Sequence, residues 1–273
     1  MIQSLRRNIS IYSAIAATAG KLRLAYSAYV WADFIMTIVS MIVFVYFWRA
    51  VYASTSTLGG LALSQTINYI LLARLLAPLV ETTENRTVWI FGSMLRQGQI
   101  AVELTRPLDL QLSMMAQRSA LVIAFIILRL PLFLLAWLFF GLQLPASPGL
   151  WAAFFISLAL GQAIMFLFEW VFACLAFYVT ETWGLAVMQI SVGAFFSGAL
   201  VPLAMMPAWL QNVVAVLPFA QALAVPVSFL SGVATLSDAP RLWLIQVVWL
   251  LALLVLSRAT FNVAVRKVTV QGG

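Results

Sequence analysis

Three ionisable side chains stand inside stretches of sequence that are otherwise apolar. Arg74, Arg129 and Glu169 each lie roughly ten residues from the end of an apolar run, which is about 15 Å at the rise of an α-helix. A charge at that depth in a bilayer is costly, so such residues are usually paired or face water. We therefore predict one charged layer, in which Arg129 pairs with Glu169 and Arg74 extends towards the interface. Contact with a transported substrate and a proton relay are the functional alternatives.

Most enzymatic chemistry is excluded by residues that the sequence lacks. Its 273 residues include no histidine, which excludes a His/Cys zinc site and Ser-His or Cys-His nucleophile pairs. Cys174 is the one cysteine, so no intrachain disulfide is possible. No stretch matches the phosphate-binding loop GxxxxGK[ST]. We expect no metal, no bound cofactor and no ATPase activity in this chain, so any ATP would act on another subunit.

The composition is that of an integral membrane protein. Apolar residues make up 64% of the chain and charged residues 8%, against roughly half and a quarter in soluble domains. The formal charge is +7, but the basic residues occupy short segments between apolar runs. That distribution is typical of membrane orientation and not of nucleic-acid binding, so we expect no nucleic-acid partner.

Six segments are long enough to cross the roughly 20-residue width of a hydrocarbon core. They are residues 29–51, 60–82, 118–141, 150–178, 184–205 and 241–264. The predicted fold is therefore an all-α membrane protein with six spans in a single domain, 1–273, without a soluble domain or long linker.

Residues 1–28 precede the first span and have an amphipathic pattern. Apolar residues recur at spacings of three and four from Ile2 to Tyr26, and most polar residues fall on the other side. This pattern predicts a helix lying in the membrane interface. The alternative is a signal peptide that begins at Arg6 and Arg7 and is cleaved near Ala19, although its apolar core would be poor.

The basic residues predict which side each loop faces. With the N-terminus inside, the cytoplasmic basic residues are Arg6, Arg7, Lys21, Arg23, Arg86, Arg96, Arg106, Arg118, Arg258, Arg266 and Lys267. Outside are only Arg49 and Arg241. This strong bias follows the positive-inside rule and places both termini in the cytoplasm.

Residues 206–236 are too apolar for an ordinary loop and too rich in proline for a clean span. Pro207 and Pro218 would each suit the first turn of a helix, which predicts two helices too short to cross the membrane. We predict a hairpin that enters the membrane and returns to the outer side. The alternative, a seventh span at 207–232, would be interrupted by Pro218 and Pro226 and would place Arg266 and Lys267 outside.

Two stretches resemble segments of ABC-2-type permeases. The first leads from a small-residue span through Pro-Leu, Pro-x-Trp-Leu and Pro-Phe to a further Pro before a Gly. Its matching residues are Gly198, Pro202, Leu203, Pro207, Trp209, Leu210, Pro218, Phe219, Pro226 and Gly232. The second is the loop between spans two and three, where a Gly precedes a short helix ending near Arg-Pro-Leu. Its matching residues are Gly98, Glu103, Leu104, Arg106, Pro107 and Leu108.

The resemblance implies the permease subunit of a bacterial ABC exporter in the cytoplasmic (inner) membrane. Two separate ATPase subunits, with ATP and Mg, would bind the cytoplasmic loop 85–117, and a second permease, the same or homologous, would complete the dimer. The ATPase-coupling residues would be Gly98, Gln99, Glu103, Leu104, Arg106 and Pro107. An outer gate would include Pro202, Pro207, Trp209, Pro218, Phe219 and Pro226.

The substrate would be hydrophobic or amphipathic: a drug, a lipid or a lipid-linked glycan. Membrane lipid would surround the spans. Two other functions stay open: a proton-coupled carrier that uses Glu169, and a membrane scaffold that does not transport.

Overall fold

The computed structural model describes residues 27–81, 87–179 and 181–267, and these residues are mostly helical. The helices are α1 (Ser27–Val51), α2 (Leu63–Leu76), α3 (Pro78–Glu81), α4 (Thr87–Arg96), α5 (Gln99–Thr105), α6 (Leu110–Phe140), α7 (Pro148–Ala173), α8 (Trp183–Phe196), α9 (Ala208–Val216), α10 (Pro218–Ala222), α11 (Ala224–Ser231) and α12 (Ala239–Val265). A short antiparallel pair, β1 (Thr57–Leu58) and β2 (Leu61–Ala62), precedes α2. The predicted interfacial helix at 1–28 lies almost wholly outside the described residues.

In the described part of the chain, four helical segments are long and apolar enough to cross a membrane: Val30–Ser54, Leu110–Phe140, Pro148–Phe177 and Leu236–Val265. They correspond to the first, third, fourth and sixth predicted spans and fit an all-α membrane protein. The third begins at Leu110, earlier than predicted, because the carboxylate of Asp109 accepts a hydrogen bond from the Leu112 N–H at 2.8 Å and caps the helix. Residues 110–117 of the predicted cytoplasmic loop are therefore part of α6.

The second and fifth predicted spans have a different form. α2 ends at Leu76, and the short helix α3 follows at Pro78, whose ring prevents an uninterrupted helix. α8 has 14 residues, fewer than the roughly 20 that a full crossing needs. Beyond α8 the chain continues through Gly198, in the left-handed region, to a 3-10 turn at Leu203–Met205. Six crossings thus remain a prediction.

The helices run between two ends of the molecule. The first end comprises residues 52–62, 141–147, 197–207 and 232–238. The second end comprises residues 77–81, 87–109, 174–179, 181–182 and 258–267. At the first end, a Cβ on Gly59 would lie 2.2 Å from the Ala204 carbonyl oxygen, and one on Gly149 would lie 2.9 Å from Leu236. At the second end, Asp109 forms an ion pair with Arg258. Successive long segments alternate in direction between these ends.

α7 is the central helix, in contact with α12, α10, α11 and α4. α7 and α12 run parallel, since the Trp243 indole N–H donates to Ser157 Oγ at 2.8 Å near their start and the rings of Trp170 and Phe261 lie 5.1 Å apart near their end. The buried amide of Gln246 donates to the Ser157 carbonyl oxygen at 2.9 Å. These contacts fix the register of the two helices.

After the 3-10 turn at Leu203–Met205, helices α9, α10 and α11 form a helical hairpin. α9 is its first arm, and α10 and α11 together are its return arm. α9 begins directly after Pro207 and α10 begins at Pro218, as the sequence predicts. Pro226 lies in the first turn of α11, and its ring would clash with the Ala222 carbonyl of a continuous helix, so the return arm is broken at Leu223. The hairpin turns beside the middle of α7, where a Cβ on Gly161 would lie 2.4 Å from the Gln221 carbonyl oxygen.

Candidate functional site

Arg129 is held by α1 and not by Glu169. Its guanidinium donates to both carboxylate oxygens of Asp33, at 2.8 and 2.7 Å, and to the hydroxyl of Thr37. Its centre also lies 4.7 Å from the centroid of the Phe125 ring. Asp33 and Thr37 are one helical turn apart and so face the same side of α1. The Arg129 side chain is 1% exposed and that of Asp33 is 25% exposed, so this charge-assisted pair joins α1 to α6 at a mostly buried site.

Glu169 lies on α7 and pairs with Arg118 of α6. The nearest nitrogen–oxygen distance is 3.2 Å, and the Glu169 side chain is fully buried. The Arg118 guanidinium also donates to the Leu79 carbonyl oxygen at 3.4 Å, and this hydrogen bond connects α6 to α3. Arg129 is about 16 Å further along α6 than Arg118. The predicted Arg129–Glu169 pair and its single charged layer are therefore wrong, because the two residues lie at different depths with different partners.

Arg74 anchors α2 to the segment that follows α8. Its guanidinium donates to the Ala199 carbonyl oxygen and lies 4.7 Å from the centroid of the Phe44 ring. One arginine therefore connects α1, α2 and the chain beyond α8. This arrangement is a structural anchor for a stretch of irregular backbone.

Sequence reasoning missed Asp33 as the partner of Arg129 and Arg118 as the partner of Glu169. Asp33 lies near the start of the first predicted span, and its spacing from Thr37 is the available signal for a polar face. The sequence places Arg118 at the start of the third predicted span, on the cytoplasmic side. The early start of α6 carries its side chain inwards, where 13% of it is exposed.

The proposed gate residues lie at three places in the structure. Trp209 on α9 is 69% exposed. Pro218, Phe219 and Pro226, on the return arm, are buried. The Phe219 ring packs at 4.9 Å from Phe168 of α7 and at 6.2 Å from Phe196 of α8. The remaining two, Pro202 and Pro207, flank the first-end turn before α9.

The proposed coupling residues form a small surface at the second end. Gly98 has φ +68°, which favours glycine, and α5 begins immediately after it. Ile100 is buried, whereas Val102 is 59% and Leu104 is 36% exposed. Glu103 and Arg106 form an exposed ion pair at 3.0 Å, and Pro107 follows the end of the helix. Gln99 opens the helix and is exposed, so α5 presents a mixed apolar and polar face.

A second ion pair lies beside this surface. Asp109 pairs with Arg258 and so joins the start of α6 to the end of α12. Partial burial raises the pKa of Asp109, but hydrogen bonds from Arg258 and from the Leu112 N–H outweigh that effect and hold the pKa below its usual value. The carboxylate is therefore charged at neutral pH.

Among the described residues, no group of three His, Cys, Asp or Glu side chains could hold a metal ion. Cys174 is buried near the end of α7. The candidate functional features of the described residues are therefore buried ion pairs, packed aromatic rings and the exposed short helix α5.

Comparison with known proteins gives a family match over most of the chain. The family described as "ABC-2 family transporter protein" matches residues 33–272. A search of curated proteins gave no significant match. The matched range includes most of α1 and all of α5, α6, α7, α12 and the hairpin.

Proposed function

The chain belongs to the ABC-2 family of transporter proteins, and we propose that it is the permease subunit of an ATP-driven exporter. Members of this family are transmembrane components without an ATPase domain, and this sequence contains no phosphate-binding loop. ATP and Mg would therefore be bound by separate ATPase subunits, two in each complex. The apolar helices suit a hydrophobic or amphipathic substrate.

The observation that carries this proposal is the exposed helix α5 at the second end. Its apolar side chains Val102 and Leu104 are displayed beside the Glu103–Arg106 pair, with Ile100 anchoring the helix from below. A short helix with an apolar centre and a charged rim is suited to protein docking. We assign this surface to the ATPase subunit.

The distribution of basic residues supports a cytoplasmic second end. Arg96, Arg106, Arg258, Arg266 and Lys267 lie there, whereas Arg49 and Arg241 lie towards the first end. By the positive-inside rule, the second end and the C-terminus face the cytoplasm of a multi-pass inner-membrane protein.

The hairpin is the candidate for an outer gate. It starts and finishes at the first end and turns beside the middle of α7, which supports re-entry instead of a seventh span. Its backbone at that depth packs against protein, as non-helical segments in membranes require. A cysteine in place of Ser237 would react with an impermeant maleimide from outside intact cells. Reaction only after permeabilisation would restore the seventh span.

A dimer of permeases would complete the pathway, and the charged residues would serve mainly as structure. The Arg118–Glu169 contact favours a structural ion pair over a proton relay, because the two side chains join α6 to α7 at 3.2 Å. The intramembrane charges would therefore position helices around the pathway.

The test is to purify the tagged chain from its native membranes and measure ATP hydrolysis. We expect an ATPase subunit to co-purify with the wild-type chain and to hydrolyse ATP. Replacing residues 99–105 with a Gly/Ser stretch of equal length should remove both the activity and the co-purified ATPase. The matched control replaces the exposed Val213 and Val216 of α9 with serine and should retain both. Unchanged hydrolysis after the 99–105 replacement would contradict coupling through α5.

A further inference from the structure

A cavity of about 270 Å³ lies between α6 and α7, away from α5 and from the hairpin. Its walls are mostly apolar, with Val122 and Ile126 on one side and Leu158 on the other. Ile123 and Phe155 border the cavity and are 59% and 51% exposed. Both side chains lie on helices long and apolar enough to cross a membrane. The cavity is therefore open on this flank to a molecule dissolved in the membrane.

One polar side chain on this wall lacks hydrogen bonds. Gln162 of α7 borders the cavity and is 7% exposed. Its amide nitrogen and amide oxygen have no hydrogen-bond partner within the described part of the chain. An unsatisfied buried amide destabilises a protein, and both of its groups would be satisfied by a ligand that accepts one hydrogen bond and donates another.

The remaining polar groups on the wall carry no net charge. Arg118 borders the cavity but is paired with Glu169, and the Ser119 hydroxyl donates to the Met115 carbonyl oxygen at 2.9 Å. Among the residues that the structure describes, Arg118 is the only charged one that lines the cavity. An ionised ligand would lose its hydration at this depth without a compensating countercharge, so a neutral ligand is favoured.

We propose that this cavity binds a neutral, largely apolar molecule that carries a hydrogen-bond donor and acceptor side by side, as in a carboxamide. The apolar body lies along α6 and α7, and the polar group bonds the Gln162 amide after rotation of that side chain. If the export function proposed above holds, the cavity selects a neutral class of substrate entering from the lipid; this last step rests on that function, whereas binding itself does not.

The experiment measures saturable binding of tritiated decanamide to the purified chain in nanodiscs, after subtraction of binding to empty nanodiscs. Methyl decanoate has a similar chain and can only accept hydrogen bonds, while decanoate is charged. We expect decanamide to bind about tenfold more tightly than methyl decanoate, as two modest hydrogen bonds allow. Decanoate should bind more weakly than decanamide. No ATPase subunit or ATP is present, so a failure here is separate from a failure of the export function.

Three variants distinguish hydrogen bonding by the Gln162 amide from apolar packing in the cavity. Gln162→Leu should reduce the tenfold preference for decanamide to about twofold or less. Gln189→Leu is the control, because Gln189 on α8 is also buried with both amide atoms lacking partners but does not line the cavity. It should leave binding unchanged. Ala159→Phe, at an exposed position on the cavity wall, should abolish saturable binding of both neutral probes.

Three results would overturn the proposal. Equal binding of decanamide and methyl decanoate to the wild type would show that the cavity accepts only an apolar chain. A decanamide preference retained in Gln162→Leu would place the binding elsewhere. Tighter binding of decanoate would contradict the neutral class. The comparison of probes on the wild type remains decisive even if a variant fails to fold.

Discussion

The two ends of the molecule are built in different ways. At the first end, the hairpin turns inwards, and α10 and α11 are buried against α7 and α2. At the second end, α5 stays on the surface and buries only Ile100. The hairpin is therefore part of the fold, whereas α5 adds little to the fold and keeps its apolar side chains Val102 and Leu104 exposed. Changes in the buried helices α10 and α11 should damage stability, and changes in α5 should damage assembly with the proposed ATPase subunit.

The largest expected effect comes from the Arg118–Glu169 ion pair, which lies between the second end and the middle of the molecule. It tests whether this region contributes as much to stability as the buried hairpin. Arg118→Leu and Glu169→Leu each remove one side of a largely buried ion pair, so each should lower the free energy of unfolding by about 3–5 kcal/mol. The double substitution should cost clearly less than the sum, and thermal unfolding in detergent measures all three.

The control for this double-mutant cycle is the Arg129–Glu169 pair that the sequence predicts. Arg129 and Glu169 have different partners, so Arg129→Leu and Glu169→Leu should be nearly additive. Additivity between residues 118 and 169, with coupling between 129 and 169, would refute the observed pairing.

A somewhat smaller effect is expected from a substitution that tests how closely the hairpin packs against α7. In Gly161→Ala the new Cβ would meet the Gln221 carbonyl oxygen at 2.4 Å and Ala222 Cα at 2.8 Å, so α10 must move away from α7. We expect a loss of about 2–3 kcal/mol from such overpacking, measured as a lower unfolding midpoint. Gly184→Ala in α8 is the control, because its Cβ would meet nothing within 4 Å, and a small gain is expected. Equal effects would mean that the hairpin is not packed against α7.

The sequence predicted the parts of the fold that depend on local chemistry. The long apolar runs gave four long helices near their predicted places, and Pro207 and Pro218 marked the starts of α9 and α10. Both features follow from hydrophobic length and from the missing N–H of proline. The family resemblance, carried by the proline spacing and the Gly-to-Arg-Pro loop, is confirmed by the match over residues 33–272.

The partners of buried charges depend on tertiary packing and could not be obtained in this way. Counting residues inwards from assumed span ends placed Arg129 and Glu169 at one depth. The count failed because Asp109 starts α6 early and because Asp33 of α1 supplies the partner of Arg129. The short α8 and the break between α2 and α3 were missed for a related reason: neighbouring helices and Arg74 satisfy backbone groups that sequence periodicity does not reveal.

The central claim is that α5 is a docking surface for an ATPase subunit, while the hairpin faces the opposite side of the membrane. Its most direct test is cross-linking in native membranes from single cysteines at Val102 and at Trp209, which are similarly exposed. A short bismaleimide should trap, from position 102 only, a protein that contains the GxxxxGK[ST] loop, identified by mass spectrometry. No such adduct from position 102, or an equal yield from position 209, would contradict the account.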